Sequence, residues 1–260
     1  MTARLLVTVA HPDDETFGTG SVIALAAESG AEVTVCCATR GEAGEAPGLD
    51  GLDRDLGAVR EAELRAAGEV LGVSRCVLLG YRDSGMTGEA AGDTLAGAPF
   101  ADVVADVRKV VADVAPDVVV TLDPDHGDGH RDHERIGRAT IEACRGRPEL
   151  RLYLWVIDRT LMARWFAALA DVRPDSAHLD LNREGDLDQD GPGRPEAHVS
   201  TVLDVARLRS IRERAMAMHR SQTSPFAGMP EDLRAAFLEA DRLVRLQPPW
   251  TGGELERALF

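Results

Sequence analysis

A doubly wound α/β domain, with a mostly parallel sheet and helices over both faces, is what this chain's pattern of residues predicts. Three observations point there. Runs of strand length such as RLLVTVA at 4–10 and DVVVTLDP at 117–124 are apolar almost throughout, as a strand covered on both sides has to be. Segments with helical spacing separate these runs, and strands that alternate with helices join in parallel through crossovers. At 260 residues, 44% of them hydrophobic, the chain can bury one large core.

The first strand is RLLVTVA. ETFGTGSVIALAAESG, residues 15–30, then changes to helical spacing, with Val22, Ile23, Leu25 and Ala26 on one side and Gly30 as the stop. AEVTVCCATR at 31–40 reads as the second strand, 57–72 as a helix ended by Gly72, and SRCVLLG at 74–80 as the third strand. A helix over about 100–114, the strand DVVVTLDP and a helix from His130 to Cys144 follow. RLYLWVI at 151–157 predicts one more strand, after which the pattern is less regular. DLDQDGPGRPEA at 186–197 reads as an exposed loop, 204–219 as a helix, and 231–244 as a shorter helix ended by the paired prolines of QPPW. We expect one domain over 1–260, with a core at 4–157 and a C-terminal elaboration at 158–260.

Lys and Arg total 29 against 44 Asp and Glu, a formal charge of -15, which argues against a surface that tracks nucleic acid or anionic lipid. No apolar run approaches the length that crosses a bilayer, and no export signal is evident. Cys36, Cys37, Cys76 and Cys144 form no C-x-x-C pair and read as reduced thiols. The expectation is a cytoplasmic protein that acts on a small molecule without nucleic acid or membrane, with homo-oligomerisation left open.

In open α/β sheets ligands bind beyond the carboxyl ends of the strands, and there the chain is unusually polar. The first strand is followed by His11, Asp13, Asp14 and Glu15, the third by YRDSGM, and the fourth by DPDHGDGHRDHE with His126, Asp128, His130, Asp132 and His133. Four of the chain's seven histidines lie in two of these segments. Imidazole and carboxylate suit a divalent transition metal, and a catalytic zinc typically takes three protein ligands. His11 and Asp14, three apart around a turn, can face one point; His130 and His133 share one face of a helix's first turn, with Asp132 between them. Helix capping would account for one or two of the acids after the first strand but not for the histidine. A solvated acidic loop is the plain alternative for the second cluster.

AHPDDE at 10–15, TRGEAGE at 39–45, LGYRDSGM at 79–86, DGHRDHERIG at 128–137 and HRSQ at 219–222 resemble the successive motifs of the PIG-L/LmbE family of metal-dependent N-deacetylases. The resemblance spans about residues 4–225 and implies a Rossmann-like, three-layer α/β/α fold of the LmbE-like kind, with zinc as the usual metal. It implies His11, Asp14 and His133 as ligands, Asp13 as general base, and His130, oriented by Asp132, as acid or stabiliser of the tetrahedral intermediate. Arg82, Asp83 and Ser84 resemble positions lining the sugar pocket, His219 is brought towards that pocket, and Asp128 is counted with the substrate-binding residues. The implied activity removes an N-acetyl or other acyl group from an amino sugar or a conjugate containing GlcNAc. An amide is a poor electrophile, and a metal acidifies its water and polarises the acyl oxygen, so these residue types suit the chemistry.

Two departures matter. Arg131 replaces the proline of the family's common G-H-P-D-H form, which removes a preset φ and predicts a looser loop. Asp128 stands where the family's sugar-thiol deacetylases carry tyrosine, which counts against the alternative of an amidase on a mycothiol-type conjugate. A non-catalytic Rossmann-like binding protein is the other alternative; against it, the first turn lacks G-x-G-x-x-G and offers carboxylates where a pyrophosphate needs N–H groups. The Gly-rich stretch 41–55 reads as a loop over the site. His126, His178 and His198 read as surface or loop histidines, and Glu15 as a cap or ligand support.

Overall fold

The computed structural model describes residues 2–44, 55–176, 179 and 192–260. Among these, the strands are β1 (Arg4–Val9), β2 (Glu32–Thr39), β3 (Arg75–Tyr81), β4 (Val118–Leu122), β5 (Arg151–Val156), β6 (Thr201–Asp204) and β7 (Ala240–Gln247). They form one sheet in the order β3-β2-β1-β4-β5-β7-β6. The first five are parallel, and β7 and β6 extend the β5 edge in antiparallel fashion. Leu5 pairs with Val33 on one side and Val118 on the other, so β1 is central. Leu5, Leu6, Val7 and Val9 are all fully buried, which is why the run shows no polar alternation.

The helices are α1 (Asp14–Phe17), α2 (Gly20–Glu28), α3 (Leu56–Leu71), α4 (Phe100–Val114), α5 (Arg131–Cys144), α6 (Arg159–Val172), α7 (Arg209–Met216) and α8 (Glu231–Leu238). Strand order runs one way from β1 to β3 and the other way through β4 and β5. Right-handed crossovers therefore put α2 and α3 on one face and α4 and α5 on the other. α7 packs on α2 and α3, and α4 on α5, which completes three layers. The order reverses between β1 and β4, and the crevice at their carboxyl ends is where the site forms.

Three expectations need correction, and one helix is new. The helix at 15–30 is two pieces, broken at Gly18–Thr19, because the buried Arg212 guanidinium takes the carbonyls of Thr16, Phe17 and Gly18 that would otherwise accept within a helix. The helix at 204–219 is shorter: β6 ends at Asp204, a 3-10 turn covers Ala206–Leu208, and α7 starts at Arg209. The helix at 231–244 stops at Leu238, and 240–247 is a strand whose Asp241 and Leu243 face inward at period two. The helix α6 is an addition to the expected elements; Asp158 caps it, accepting from the Leu161 N–H at 2.9 Å, and Leu161, Met162, Trp165 and Leu169 form its buried face. Residues 45–54, His178 and the 186–191 part of the expected loop lie outside the described residues.

Candidate metal centre and active site

The turn after β1 is constrained from several directions. Asp13 has φ 127°, a conformation that side-chain-bearing residues rarely adopt and that costs on the order of 1–3 kcal/mol. Its neighbours over-determine it. The Asp13 N–H donates to Glu15 Oε2 at 2.8 Å, its carbonyl accepts from Thr16 and Phe17 N–H at 2.9 and 2.8 Å, and Arg60 donates to Asp13 Oδ2 at 3.0 Å and to the Pro12 carbonyl at 2.6 Å. The result sends two adjacent carboxylates in different directions. Asp14 Oδ2 accepts from the Ala10 and His11 N–H groups at 3.1 and 2.8 Å, leaving Oδ1 towards His133 at 3.2 Å.

The second half of the site is the first turn of α5. His130 is its N-cap, with Nδ1 accepting from the Asp132 N–H at 3.1 Å, so a neutral His130 carries its proton on Nε2. His133 Nδ1 meets Asp128 Oδ1 at 3.0 Å, which turns Nε2 towards Asp14 and towards His11 Nδ1 at 3.3 Å. His11 Nε2 lies 3.3 Å from Asp132 Oδ2 and 3.5 Å from Asp83 Oδ1. Each of these two imidazoles thus presents one nitrogen to a common point and has the other held by a carboxylate, the arrangement that fixes metal-ligating histidines.

His11 Nδ1 lies 3.3 Å from His133 Nε2, and His133 Nε2 lies 3.2 Å from Asp14 Oδ1, whereas the 3.7 Å approach of His11 Nδ1 to Asp14 is to the other oxygen, Oδ2. An ion held tetrahedrally at about 2.0–2.2 Å spaces its ligands by about 3.3–3.6 Å. The His11–His133 and His133–Asp14 spacings lie close to that range, and imidazole with carboxylate is a donor set that suits a divalent metal. His130 joins His11 and His133 within 4.8 Å, and a second group of that size is His11, Asp83 and Asp132. That second group faces inward: Asp83 and Asp132 accept from the Gly85 and Ser84 N–H groups, and Asp132 is fully buried.

Electrostatics point the same way. Burial opposes charge on His11, yet hydrogen bonds from its ring to Asp132 and Asp83 raise its pKa to about 9. Burial likewise works against a charged His133, but Asp128 and Asp14 outweigh it and hold the group well above its ordinary value. Asp14, despite burial, is held well below the carboxylate range by His133 and His11. The carboxylates around the two rings draw in positive charge, which a divalent cation supplies in place of protons. His130 differs: burial, with His133 and His11 beside it, pushes it down to about 3. Burial pushes Asp13 up to about 6, against the pull of Arg60.

His11, Asp13, Asp14, Asp83, Asp128, His130 and His133 line a cleft of about 730 Å³, whose remaining wall includes Phe17, Trp155, Trp165, Phe226 and Phe237. Other expected residues lie elsewhere. The Asp132 carboxylate lies against His11 rather than orienting His130, which it meets through its backbone N–H. Arg82 extends into solvent beside Asp93, and Ser84 lies behind the wall, accepting from the Ala96 N–H. His219 is buried against Glu15 and does not line the cleft. His126 does line it, and its Nδ1 is buried without a partner among the described residues, whereas His198 is exposed in a 3-10 turn.

Sequence reasoning alone misses the structural roles of Arg60, Arg131 and Arg212. Arg60 carries a signal: it falls among Gly57, Leu64 and Leu71 on the buried face of α3, where a charge needs a partner.

A doubly wound sheet with imidazoles and carboxylates clustered at its switch point defines an LmbE-like α/β protein. The family model described as PIG-L, GlcNAc-PI de-N-acetylase, matches residues 6–144, and the chain belongs to that family of deacetylases. It is 37% identical over 246 residues, 85% of this chain and 82% of the relative, to a 1D-myo-inositol 2-acetamido-2-deoxy-alpha-D-glucopyranoside deacetylase of Rhodococcus opacus. In fold it is similar to the N,N'-diacetylchitobiose deacetylase of Pyrococcus horikoshii, with TM-score 0.60, 22% identity, and coverage of 93% of this chain and 83% of that one. It is also similar to the 4-carboxy-2-hydroxymuconate hydratase of Pseudomonas putida KT2440, with TM-score 0.63, 18% identity, and coverage of 97% and 100%. One architecture thus serves hydrolysis and hydration, and the reaction has to be argued from the site.

Proposed function

We propose that this protein is a zinc-dependent hydrolase that removes the acetyl group from the nitrogen of an amino sugar in a small conjugate, with a glycoside of N-acetylglucosamine on a polyol as the first substrate class. The observation that carries the reading is the pair Asp14 and Asp13: one carboxylate approaches His133 through Oδ1 and His11 through Oδ2, and its neighbour is instead paired with Arg60. The inositol glycoside named for the Rhodococcus opacus relative supports the substrate class.

In this reading His11, Asp14 and His133 hold the zinc, which when bound acidifies water and polarises the acyl oxygen. Asp13 accepts the proton of the attacking water as its oxygen bonds to the acetyl carbon. Burial raises the Asp13 pKa to about 6, so the carboxyl can hold that proton and then release it. The Nε2–H of His130 donates to the developing oxyanion as a neutral imidazole, because Nδ1 is occupied by the Asp132 N–H. The C–N bond then breaks, Asp13 passes its proton to the departing nitrogen, and acetate and a free amine result. Asp83 and Asp128, on the cleft wall, position His11 and His133 respectively.

We read 1–260 as one catalytic domain, in which 158–260 braces the site through Arg212 and His219. No helix among the described residues is long and apolar enough to cross a membrane, and the four cysteines are free thiols, which supports a reducing compartment, the cytoplasm. The test is acetate release from N-acetylglucosaminyl inositol and N,N'-diacetylchitobiose with zinc present. No release from either by zinc-loaded protein rejects the reading.

A further inference from the structure

We propose that Arg131 is a specificity-positioning residue that clamps the 84–88 loop onto the first turn of α5, and so fixes the cleft wall that meets the substrate; this rests on the deacetylase reading of the cleft. The proline expected at this position would constrain only its own φ. Arg131 instead donates Nε–H to the Gly85 carbonyl at 2.8 Å, Nη1–H to Gly88 at 2.7 Å, and Nη2–H to Thr87 at 3.0 Å and to Ser84. Four carbonyls of one loop converge on one guanidinium, a planar donor fork that lysine cannot reproduce.

The loop is shaped for that clamp. Gly85 and Gly88 have φ of 62° and 84°, which lets consecutive carbonyls turn to one side. Among the described residues no backbone N–H donates to these carbonyls, so Arg131 is the protein group that gathers them. Its start is held from the other direction as well, since the Ser84 N–H donates to Asp132 Oδ2 at 2.9 Å. One turn further along α5, Arg135 holds the carbonyls of Leu95, Ala96 and Ala98 at the far end of the same connection. Gly85 and Met86 line the cleft beside Asp83, and Arg131 sits between His130 and Asp132 in sequence. The helix that supplies His130 and His133 therefore also holds another part of the cleft's lining.

The experiment uses full-length zinc-loaded protein, wild type beside Arg131→Lys and Arg131→Pro. It measures amide hydrogen exchange over 84–88, bound zinc, and kcat and KM for N-acetylglucosaminyl inositol and N,N'-diacetylchitobiose. In Arg131→Lys we expect exchange about tenfold faster over the loop. KM for the better substrate should rise roughly tenfold, and the ratio of kcat/KM between the two should shrink about fivefold or more, with kcat and zinc content little changed. Arg131→Pro, which restores φ without the fork, should resemble Arg131→Lys rather than wild type. Unchanged loop exchange or an unchanged substrate ratio in an active background overturns the clamp, as does loss of kcat together with zinc. A wild type that releases acetate from neither substrate overturns the deacetylase reading, and the specificity role with it.

Discussion

Glu15 and His219, 204 positions apart in the sequence, meet at 2.6 Å with both side chains fully buried. The same glutamate accepts the N–H of the strained Asp13 through its other oxygen. His219 thereby ties the C-terminal segment to the catalytic turn without itself lining the cleft, and Glu15, legible from sequence as a cap or ligand support, becomes the link. Removing one member leaves the other buried without its partner. His219→Ala should destabilise the fold by about 3–5 kcal/mol in urea unfolding, and Glu15→Gln paired with His219→Gln should cost less than the two single changes added together. A loss under about 1 kcal/mol for His219→Ala would show that the pair is not holding the turn.

The same pair predicts a pH dependence. Burial alone would lower the His219 pKa, but Glu15, with Asp13 beside it and Glu63 facing it from α3, raises it above the ordinary 6.5. The folded chain therefore binds this proton more tightly than the unfolded chain. The stabilisation is complete below about pH 6.5 and is lost as pH rises through the raised value. Wild type should lose stability relative to His219→Gln on going from about pH 6 to about pH 9. Parallel unfolding curves for the two proteins over that range would remove the claim.

Arg212 holds the break between α1 and α2. It is fully buried and donates to the carbonyls of Thr16, Phe17, Gly18 and Phe237, to Ser21 Oγ at 3.2 Å and to Asp241 Oδ1 at 3.5 Å. Arg212→Met matches the length of the stem but strands several buried acceptors, each worth roughly 1–3 kcal/mol. We expect a loss above about 4 kcal/mol, seen as a large fall in Tm or as insoluble protein. A soluble variant with a Tm near wild type would mean that water replaces the guanidinium.

The parallel half of the fold is legible because its strands are buried on both faces, and apolar runs such as 118–122 have no competing reading. The antiparallel edge is not: in ADRLVRLQ the inward positions include Asp241, so tertiary partners, Arg212 and the Trp155 N–H, decide what pattern alone leaves open. At the site, residue types and spacing bring His11, Asp14, His130 and His133 together correctly as a cluster. What spacing cannot carry is which atom faces which. Asp132 lies two positions from His130 yet gives its carboxylate to His11, because the N-cap geometry of α5 uses His130 Nδ1 for the backbone. Arg131 reads in sequence as a loss of rigidity, since the missing proline is visible there and the four carbonyls within the fork's reach are not.

Asp128 stands behind His133 and fixes which ring nitrogen faces the cleft. Its carboxylate also accepts from the His130 N–H at 3.0 Å, so it steadies both histidines of α5. Loss of a carboxylate in this position typically costs 10–100-fold in metal affinity, and we expect roughly that for Asp128→Ala, measured by chelator competition. A binding constant unchanged within about twofold would assign Asp128 to substrate contact instead.

The proposed division of labour between neighbouring carboxylates makes opposite demands on two variants. His11 belongs to the proposed ligand set, so His11→Ala should lose both bound zinc and turnover. Asp13 lies outside that set, 3.0 Å from Arg60, so Asp13→Asn should keep zinc near one equivalent while turnover falls by about 10²–10⁴. The asparagine amide preserves the volume and its oxygen can still accept from Arg60, so the strained turn should survive, and unfolding in urea checks that it does. Zinc content by elemental analysis, read beside acetate release, separates the roles. If Asp13→Asn loses zinc as His11→Ala does, Asp13 is a ligand or holds one; if it retains turnover, the water's proton goes elsewhere.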